Sequence, residues 1–517
     1  MAARAAGDAD AAPPERQGNV HPVTGRPKHN ILMVSDFFYP NVGGVEQHMF
    51  QLAQFLIRRG HKVVMMTHAY GERAGVRWLT NGLKVYYIPQ QPFYNGNSLP
   101  TIYGAFPILY DTFIRERIDI VHCHQAFSNL AHEAIFHAGT MGITTCFTDH
   151  SLFGFADASG ILMNKLLKFT LSDINHVICV SHTGKENTVL RARLNPSDVS
   201  VIPNAVDTRC FTPDPLARPP DYRERLNVVI ISRLVYRKGM DLVAQVLPVL
   251  CERHPQMHFI IGGDGPKKLV LEETVQKYRL HDRVEFLGAV ESKDVRDVLI
   301  RGHIFLNCSL TEAFCIAILE AAACGLLVVA TKVGGVPEVL PPDMIVFAEA
   351  NASDLVRAVE QTLPRIPGMD HQRIQSFHER VKAMYSWENV AERTEKVYQR
   401  MKKHSGGSGG GGHSGSQPES NARLPLIERF RRYYGCGPWA GKLFVLVVAL
   451  DYLLLKLLEW CRPREDIDIA IDFPFLAYGA DRSAGTGHRA PVGESAGAGR
   501  RDIRLARLGD SQQQKQQ

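Results

Sequence analysis

NVVIISRLVYRKGMDL, residues 227–242, decides the fold. Val228 to Ile231 is a continuous apolar β-branched run. It stops at Ser232, passes through a basic turn holding Arg233 and Lys238, and Gly239 then opens a helical segment. A strand apolar on both faces is one covered on both faces, which is the signature of a parallel sheet flanked by helices. The same unit recurs in both directions. Toward the N-terminus the runs are NILMVSDF, KVVMMTHA, KVYYIP, IDIVHCH, TTCFTDH, HVICVS and VSVIPN, beginning at His29. Toward the C-terminus they are HFIIGG, RVEFLGA, HIFLNCS, LLVVAT and MIVFAE. Two series of strand–helix units predict an α/β protein with two Rossmann-like domains, residues 29–208 and 209–385. The Pro-rich polar segment FTPDPLARPPDYRERL (211–226) is the expected connection between them.

The ends of the chain differ in character. Residues 1–28 are small, polar and without an apolar core, so they read as a disordered arm and not as a signal peptide. SWENVAERTEKVYQRMKK (386–403) has a charged helical pattern, and residues 404–420 form a Gly/Ser-rich tether. LFVLVVALDYLLLKLLEW (443–460) is just long enough to span a bilayer. Its Leu, Val and Phe side chains contribute roughly −4 to −7 kcal/mol to insertion and central Asp451 costs about 3 kcal/mol. A transmembrane helix is therefore expected, with an amphipathic or buried helix as the alternative. Arg429, Arg431, Arg432 and Lys442 precede it, which would keep the globular domains on the cytosolic side and put the short tail in the lumen. Asp451 in mid-membrane is then a candidate contact to a partner subunit. Residues 476–517 read as a disordered tail.

The formal charge of +6 over 517 residues does not point to nucleic acid. Most of the ten cysteines fall in apolar runs, as buried free thiols of a reducing compartment do. In His122-Cys123-His124, strand alternation points the cysteine away from the histidines, which argues against a metal site there. No GxGxxG fingerprint follows any strand, which argues against nicotinamide and flavin enzymes.

The chemistry-bearing residues lie at strand ends. Gly43 and Gly44 precede an amphipathic helix and would let an anion approach its N-terminus. Arg233 and Lys238 follow a strand and face the crevice where open α/β sheets bind ligands, with phosphate as the fitting partner. Gly262, Gly263 and Gly265, and later Gly334 and Gly335, end other strands of the same sheet with little bulk, as a nucleotide diphosphate requires. SLTEAFCIAILEAAACG (309–325) places Glu312 and Glu320 eight apart in a small, apolar run. Unpaired acids are rare on buried helices. Glu312 could reach a sugar hydroxyl and Glu320 the two hydroxyls of a ribose. His150, with Asp149 beside it, ends a strand of the first domain facing the cleft.

PNVGGVE, SRLVYRKG, the E-x7-E pair and GGVPE occur in the order and spacing of a retaining family 4 glycosyltransferase of the GT-B fold, which the chain resembles. FTDHSLFGFAD, GKENTVLRA, VIPNAVD and LTEAFC narrow the resemblance to the branch that moves N-acetylglucosamine onto phosphatidylinositol in GPI-anchor synthesis. That resemblance covers roughly residues 29–403 and the C-terminal apolar segment. It implies UDP-GlcNAc as donor, phosphatidylinositol as acceptor, retained anomeric configuration, other membrane subunits as partners and the endoplasmic reticulum membrane as location. By the same resemblance, Arg233 and Lys238 neutralise the leaving UDP, Glu320 holds the ribose and Glu312 contacts the donor sugar. His150 sits beside the reacting sugar, Gly43 and Gly44 admit diphosphate and acceptor, and the helix at 386–403 crosses back to the first domain. No metal is expected. The triplets Asp8–Asp10 and Asp466–Asp468 lie outside the globular domains and read as chance. Two alternatives share these motifs: a lipid-directed mannosyltransferase using GDP-mannose, and a non-catalytic scaffold of the same fold. The intact set of Arg233, Lys238, Glu312 and Glu320 speaks against the scaffold.

Overall fold

The computed structural model describes residues 28–41, 43–94, 96–152, 158–406 and 426–472. The expected N-terminal arm (but for residue 28), the Gly/Ser tether from 407 and the tail from 476 lie outside the described residues. Residues Met1–Ala470 form one compact unit. Of the second, Ile471–Gln517, only the first two residues are described.

The first sheet contains β1 (Asn30–Val34), β2 (Lys62–His68), β3 (Gly75–Leu79), β4 (Leu83–Ile88), β5 (Ile120–His124), β6 (Thr144–Asp149), β7 (His176–Cys179) and β8 (Val199–Val201). Its spatial order is β8-β7-β6-β5-β1-β2-β4-β3, parallel except for the edge pair β3–β4. The second sheet contains β9 (Leu226–Ile231), β10 (Met257–Gly262), β11 (Val284–Gly288), β12 (Ile304–Asn307), β13 (Leu327–Thr331) and β14 (Ile345–Ala348). Its order is β11-β10-β9-β12-β13-β14, parallel throughout. Numbered from its own first strand this is 3-2-1-4-5-6, the doubly wound order of the Rossmann fold. The reversal falls between β1 and β5 in the first domain and between β9 and β12 in the second. Ligands bind at these switch points, outside the carboxyl ends of the strands.

The apolar strand runs are buried on both sides, which explains their continuous pattern. Leu32, Val34, Val121 and Phe147 pack into one layer of the first domain, and Ile31, Met33, Val85 and Ile120 into the other. Helix α1 (Gly44–Arg58) covers the second layer together with α6 (Trp387–Gly406), whose Trp387, Ala391, Val397 and Tyr398 join that same layer. The last helix of the second domain's chain segment thus packs on the first domain. Other helices used below are α2 (Asn129–Met141), α3 (His182–Ala192), α4 (Met240–Arg253) and α5 (Ile316–Ala323).

Beyond the tether, α7 (Leu426–Tyr434) and α8 (Ala440–Cys461) fold back onto the first domain. This departs from the expected transmembrane helix. No described helix is long and apolar enough to cross a membrane. The charged residues of the segment explain the difference. Asp451 is fully buried and accepts from His137 Nδ1 at 2.8 Å and from Thr140 Oγ1, both on α2. It is therefore an internal contact of this chain and not a contact to a partner subunit. Arg429 on α7 pairs with Asp173 and donates to Thr140 Oγ1 at 3.0 Å. Tyr433 and Val448 pack on Phe136 and Phe169, and Tyr103 Oη donates to the Val447 carbonyl at 2.9 Å. The side of α8 that faces the protein carries Val448 and Leu455 with Asp451 as its buried charged residue. Its opposite side carries Leu443, Leu446, Leu450, Leu453 and Leu457, each 47–63% exposed, with Trp439 and Trp460 exposed at the two ends.

All ten cysteines are free, and all but Cys210 and Cys461 are buried. Cys123 points into the apolar layer opposite to His122 and His124, as alternation requires.

Candidate functional site

The basic turn after β9 is shaped by backbone hydrogen bonds. Ser232 N donates to the Gly262 carbonyl at 3.1 Å and Leu234 N to that of Asp264 at 2.8 Å. A Cβ on Gly263 (φ +140) would overlap the Ser232 carbonyl oxygen. The glycines that end β10 therefore let two strand ends lie against each other and so position Arg233. Gly239 does the same further on. Its φ is +72, and a Cβ there would overlap the Cys308 carbonyl oxygen at the end of β12. Leu310 N donates to the Arg237 carbonyl at 2.9 Å, which fastens the β12 loop to the basic turn.

These contacts bring together residues distant in sequence. Lys238 Nζ pairs with Glu312 Oε1, which also accepts from Ser309 Oγ at 2.8 Å. Burial works against the Lys238 ammonium, but the Glu312 carboxylate outweighs it and holds the ammonium pKa above its ordinary value. Glu320, in the second turn of α5, has no side-chain hydrogen bond or ion pair among the described residues. Burial pushes its carboxyl up to about 7. Cys315 lies between the charges, since Glu312, Lys238 and Glu320 all act on its thiol, which burial pushes up to about 12. Cys315 has φ 75 and caps α5, an unusual conformation for a non-glycine residue and the kind of strain that collects at functional sites. Arg233 is exposed. Its field reaches Lys238 in its own domain and Glu46 in the first turn of α1, across the cleft.

The first domain supplies the facing wall. Gly43 caps α1 in an extended conformation, and a Cβ on Gly44 would lie 3.6 Å from Ile316 Cδ1, so the starts of α1 and α5 come close together across the cleft. Burial raises the Glu46 carboxyl, with Arg233 pulling it back down. Gly334 and Gly335 press on the Glu312 and Ala313 carbonyl oxygens and on Leu152 and Ser181 of the first domain. Gly335 N donates to the Glu312 carbonyl at 3.0 Å. Their missing side chains serve this close packing. Glu338, three residues on, accepts from His182 N at 2.6 Å, Thr183 N at 2.9 Å and Thr183 Oγ1 at 2.8 Å. An acid of the second domain therefore joins the Ser181 N-cap in satisfying the first-turn N–H groups of α3 and ties the two domains together at the back of the cleft.

His150 follows β6. It lies 3.2 Å from His124 Nδ1 through its Nε2 and packs edge-on against His48 of α1. Burial and the neighbouring imidazoles hold it neutral, well below its ordinary pKa. Asp149 does not support it. As the preceding residue of a strand, Asp149 points the other way and accepts from Ser151 N at 2.8 Å and Thr188 Oγ1 at 2.9 Å. The structural roles of Ser309, Cys315 and His48 carry no sequence signal of their own. Glu46 and Glu338 do stand inside motifs, PNVGGVE and GGVPE, but nothing in those motifs says what they face.

Two facing Rossmann-like domains define the class. One switch point carries an unpaired carboxylate and two cations, and the other a helix N-terminus, as in a glycosyltransferase of the GT-B type. Solved structures support that fold. Sucrose-phosphate synthase from Thermosynechococcus elongatus matches with a TM-score of 0.60 at 20% identity, covering 72% of this chain and 99% of that one. Anabaena HepE in complex with UDP and glucose matches with a TM-score of 0.57 at 16% identity over the same shares. The family profile PIGA (GPI anchor biosynthesis) matches residues 68–157, and Glycosyl transferases group 1 matches residues 218–372. The gpi3 subunit of phosphatidylinositol N-acetylglucosaminyltransferase from Schizosaccharomyces pombe is 55% identical over 85% of this chain and 92% of its own length. The corresponding Homo sapiens subunit of the same transferase is 53% identical over 86% of this chain and 88% of its own. The chain belongs to this PIGA/GPI3 family, the phosphatidylinositol N-acetylglucosaminyltransferase of GPI-anchor biosynthesis.

Proposed function

We propose that this chain transfers N-acetylglucosamine from UDP-GlcNAc to phosphatidylinositol with retained anomeric configuration, the first step of GPI-anchor synthesis. The observation that carries the proposal is the unpaired Glu320 carboxylate on the sheet edge that also holds Arg233 and the Lys238–Glu312 pair. A carboxylate raised by burial alone is poised for a partner that the free protein does not supply, and ribose hydroxyls are donors of the right kind.

The transition state of glycosyl transfer is oxocarbenium-like, and negative charge grows on the leaving diphosphate. Arg233, exposed and free to move, meets that charge, and Lys238 does so from a position already fixed by Glu312. These two cations and the helix N-termini at the starts of α1 and α5 supply the neutralisation that a metal would otherwise provide, so the diphosphate is held without one. Glu312, anchored by Lys238 and Ser309, presents its remaining acceptor capacity to the donor sugar. His150, neutral and partly exposed on the opposite wall, accepts or donates one hydrogen bond at the reacting sugar. Same-face attack by the inositol hydroxyl, with its proton passing to the departing phosphate, retains configuration.

The outward leucine row of α8, ended by two exposed tryptophans, suits the interface of the endoplasmic reticulum membrane, where tryptophans settle at headgroup depth. A span would tear Asp451 from His137 and Thr140, so the helix lies along the surface with the catalytic domains on the cytosolic side. Other subunits of the complex share this membrane. Binding of UDP-GlcNAc in preference to GDP-mannose by calorimetry supports the donor assignment. Equal or reversed preference removes it.

A further inference from the structure

Residues 99–105 connect a short antiparallel hairpin, Pro92–Tyr94 and Asn97–Ser98, to the helix Phe106–Arg115. The hairpin lies over the carboxyl ends of the first sheet. His68, the last residue of β2, faces the Gly96 carbonyl through Nε2 at 2.9 Å. Asn129 Nδ2, at the start of α2, donates to the Ser98 carbonyl at 2.6 Å. A Cβ on Gly96 would lie 3.6 Å from Asn41 Nδ2, in the loop that leads to Gly43. Ligands of open α/β sheets enter at this end, beside the switch point. Arg233, Lys238, Glu312 and Glu320 belong to the second domain, so the first domain's mouth is left to the acceptor. We propose that Glu133 is a positioning residue for the lipid acceptor, holding residues 99–105 at its entrance, and that α8 braces the segment there. The proposal rests on the transferase reading above.

Glu133 is buried on α2, and its two oxygens divide their work. Oε1 accepts from Thr101 Oγ1, and Oε2 accepts from Ala105 N at 2.8 Å. One carboxylate thus closes both ends of the stretch Thr101–Ala105, with bonds stronger than a neutral acceptor would make. Gly104 leaves room for this closure, since a Cβ there would lie 2.6 Å from Thr101 Oγ1.

The brace is on the other side. Glu133 Oε2 is 3.9 Å from His137 Nε2, and His137 Nδ1 donates to Asp451 Oδ1 of α8 at 2.8 Å. His137 also stacks flat on Phe106, the first residue of the helix after the segment, with ring centroids 3.9 Å apart. Tyr103 Oη donates to the Val447 carbonyl at 2.9 Å, and Tyr110 Oη to the Arg462 carbonyl at 3.1 Å. Arg462 pairs with Asp111 at 2.5 Å, and Ala470 N donates to the Arg115 carbonyl at 2.9 Å. From Tyr103 to Arg115 the chain is therefore tied to α8 and the residues after it.

The segment presents apolar side chains at the mouth. Phe93, Leu99 and Ile102 are 72%, 52% and 47% exposed. Phosphatidylinositol brings a diacylglycerol behind its inositol phosphate, and these side chains are the contacts open to it. A segment ordered before the lipid arrives has no ordering cost left at binding. Loosening it weakens the lipid and leaves the donor site in the other domain untouched.

The test uses Thr101→Val, which keeps the volume and removes the hydroxyl at an exposed position, and Gly104→Ala, which pushes Thr101 off Glu133. Initial rates are measured on the full chain with its partner subunits in membranes. The KM for phosphatidylinositol should rise about 5- to 20-fold in each variant, with kcat and the KM for UDP-GlcNAc within about twofold. Hydrogen exchange on the full-length chain in detergent reads the clamp without activity. The Ala105 amide should exchange roughly tenfold faster in both variants, and also in Asp451→Asn, where only the brace is changed. Unchanged exchange in Thr101→Val and Gly104→Ala overturns the clamp, and unchanged exchange in Asp451→Asn overturns the brace. Faster exchange with an unchanged KM for phosphatidylinositol, or with both KM values raised alike, overturns the acceptor role. A wild-type chain that labels no phosphatidylinositol removes the transferase reading and the acceptor role with it, while exchange still decides the clamp.

Discussion

Replacing Glu320 with glutamine should make the free protein more stable and the donor complex weaker. The carboxyl is pushed from its ordinary 4.5 to about 7 by burial alone. The folded protein therefore holds a proton there that the unfolded chain has lost. Stability from this group is fully present below pH 4.5, falls as pH rises through 7 and stays low above it. The displacement corresponds to about 3 kcal/mol as an upper bound. Glutamine has the same shape and no charge, so it removes this cost at pH 8 and recovers little at pH 5. At roughly 2–4 °C per kcal/mol for a domain of this size, the melting temperature at pH 8 rises by about 5–10 °C. Donor binding moves the other way. The ribose loses a charged acceptor, worth about 1.5–3 kcal/mol, so the Kd for UDP-GlcNAc rises by roughly 10- to 100-fold. Wild-type affinity strengthens from pH 6 to pH 8 as Glu320 ionises, and that of Glu320→Gln stays flat. Thermal unfolding at the two pH values, with donor titration on the same samples, measures all of this. An unchanged or lowered melting temperature at pH 8 would show that burial does not penalise the Glu320 carboxylate. Unchanged donor affinity would refute the ribose assignment.

Arg233→Ala should lower kcat/KM by about 100- to 1,000-fold, as loss of a transition-state charge partner does. Because Arg233 is exposed, the melting temperature should stay within a degree or so, and steady-state kinetics with thermal unfolding separate the two effects. Gly239→Ala places a Cβ on the Cys308 carbonyl at φ +72, a strain of at least about 1–3 kcal/mol, and chemical denaturation should show the second domain unfolding early. Glu338→Ala leaves the Ser181 N-cap of α3 but removes the acceptor of the His182 and Thr183 N–H groups, and should cost about 1 kcal/mol by the same measurement. Leu446→Glu with Leu453→Glu charges the outward face of α8 without entering the core. The protein should stay folded and release from membranes at lower salt and detergent, as flotation would show.

Much of this architecture is legible in the sequence because a strand buried on both faces cannot hide its pattern. Val228–Ile231 and its counterparts announce parallel sheets, and chain order does the rest. Arg233, Lys238 and Glu312 are legible as residue types after strand ends and Glu320 as an acid in the small, apolar helix that follows, but their pairing is not. The Lys238–Glu312 contact depends on backbone packing at Gly239 and Cys308, which sequence spacing does not encode. Asp149 is adjacent to His150 in sequence but not in space, because alternation at the end of β6 turns it to the other face. The C-terminal helix hides its setting for a different reason. An eighteen-residue apolar run looks the same whether lipid or protein covers it, and only the partners of Asp451 on α2 tell them apart. His48 lies in a helix far in sequence from His124 and His150, so no local motif could join them.

Transfer by this chain is tested most directly with membranes from cells that lack the endogenous activity, supplied with this chain and labelled UDP-GlcNAc. Label should appear in phosphatidylinositol, with the product lost for Arg233→Ala and sharply reduced for Glu320→Gln. No labelled lipid with the chain folded and its partner subunits present, or full product from the Arg233→Ala chain, would contradict it.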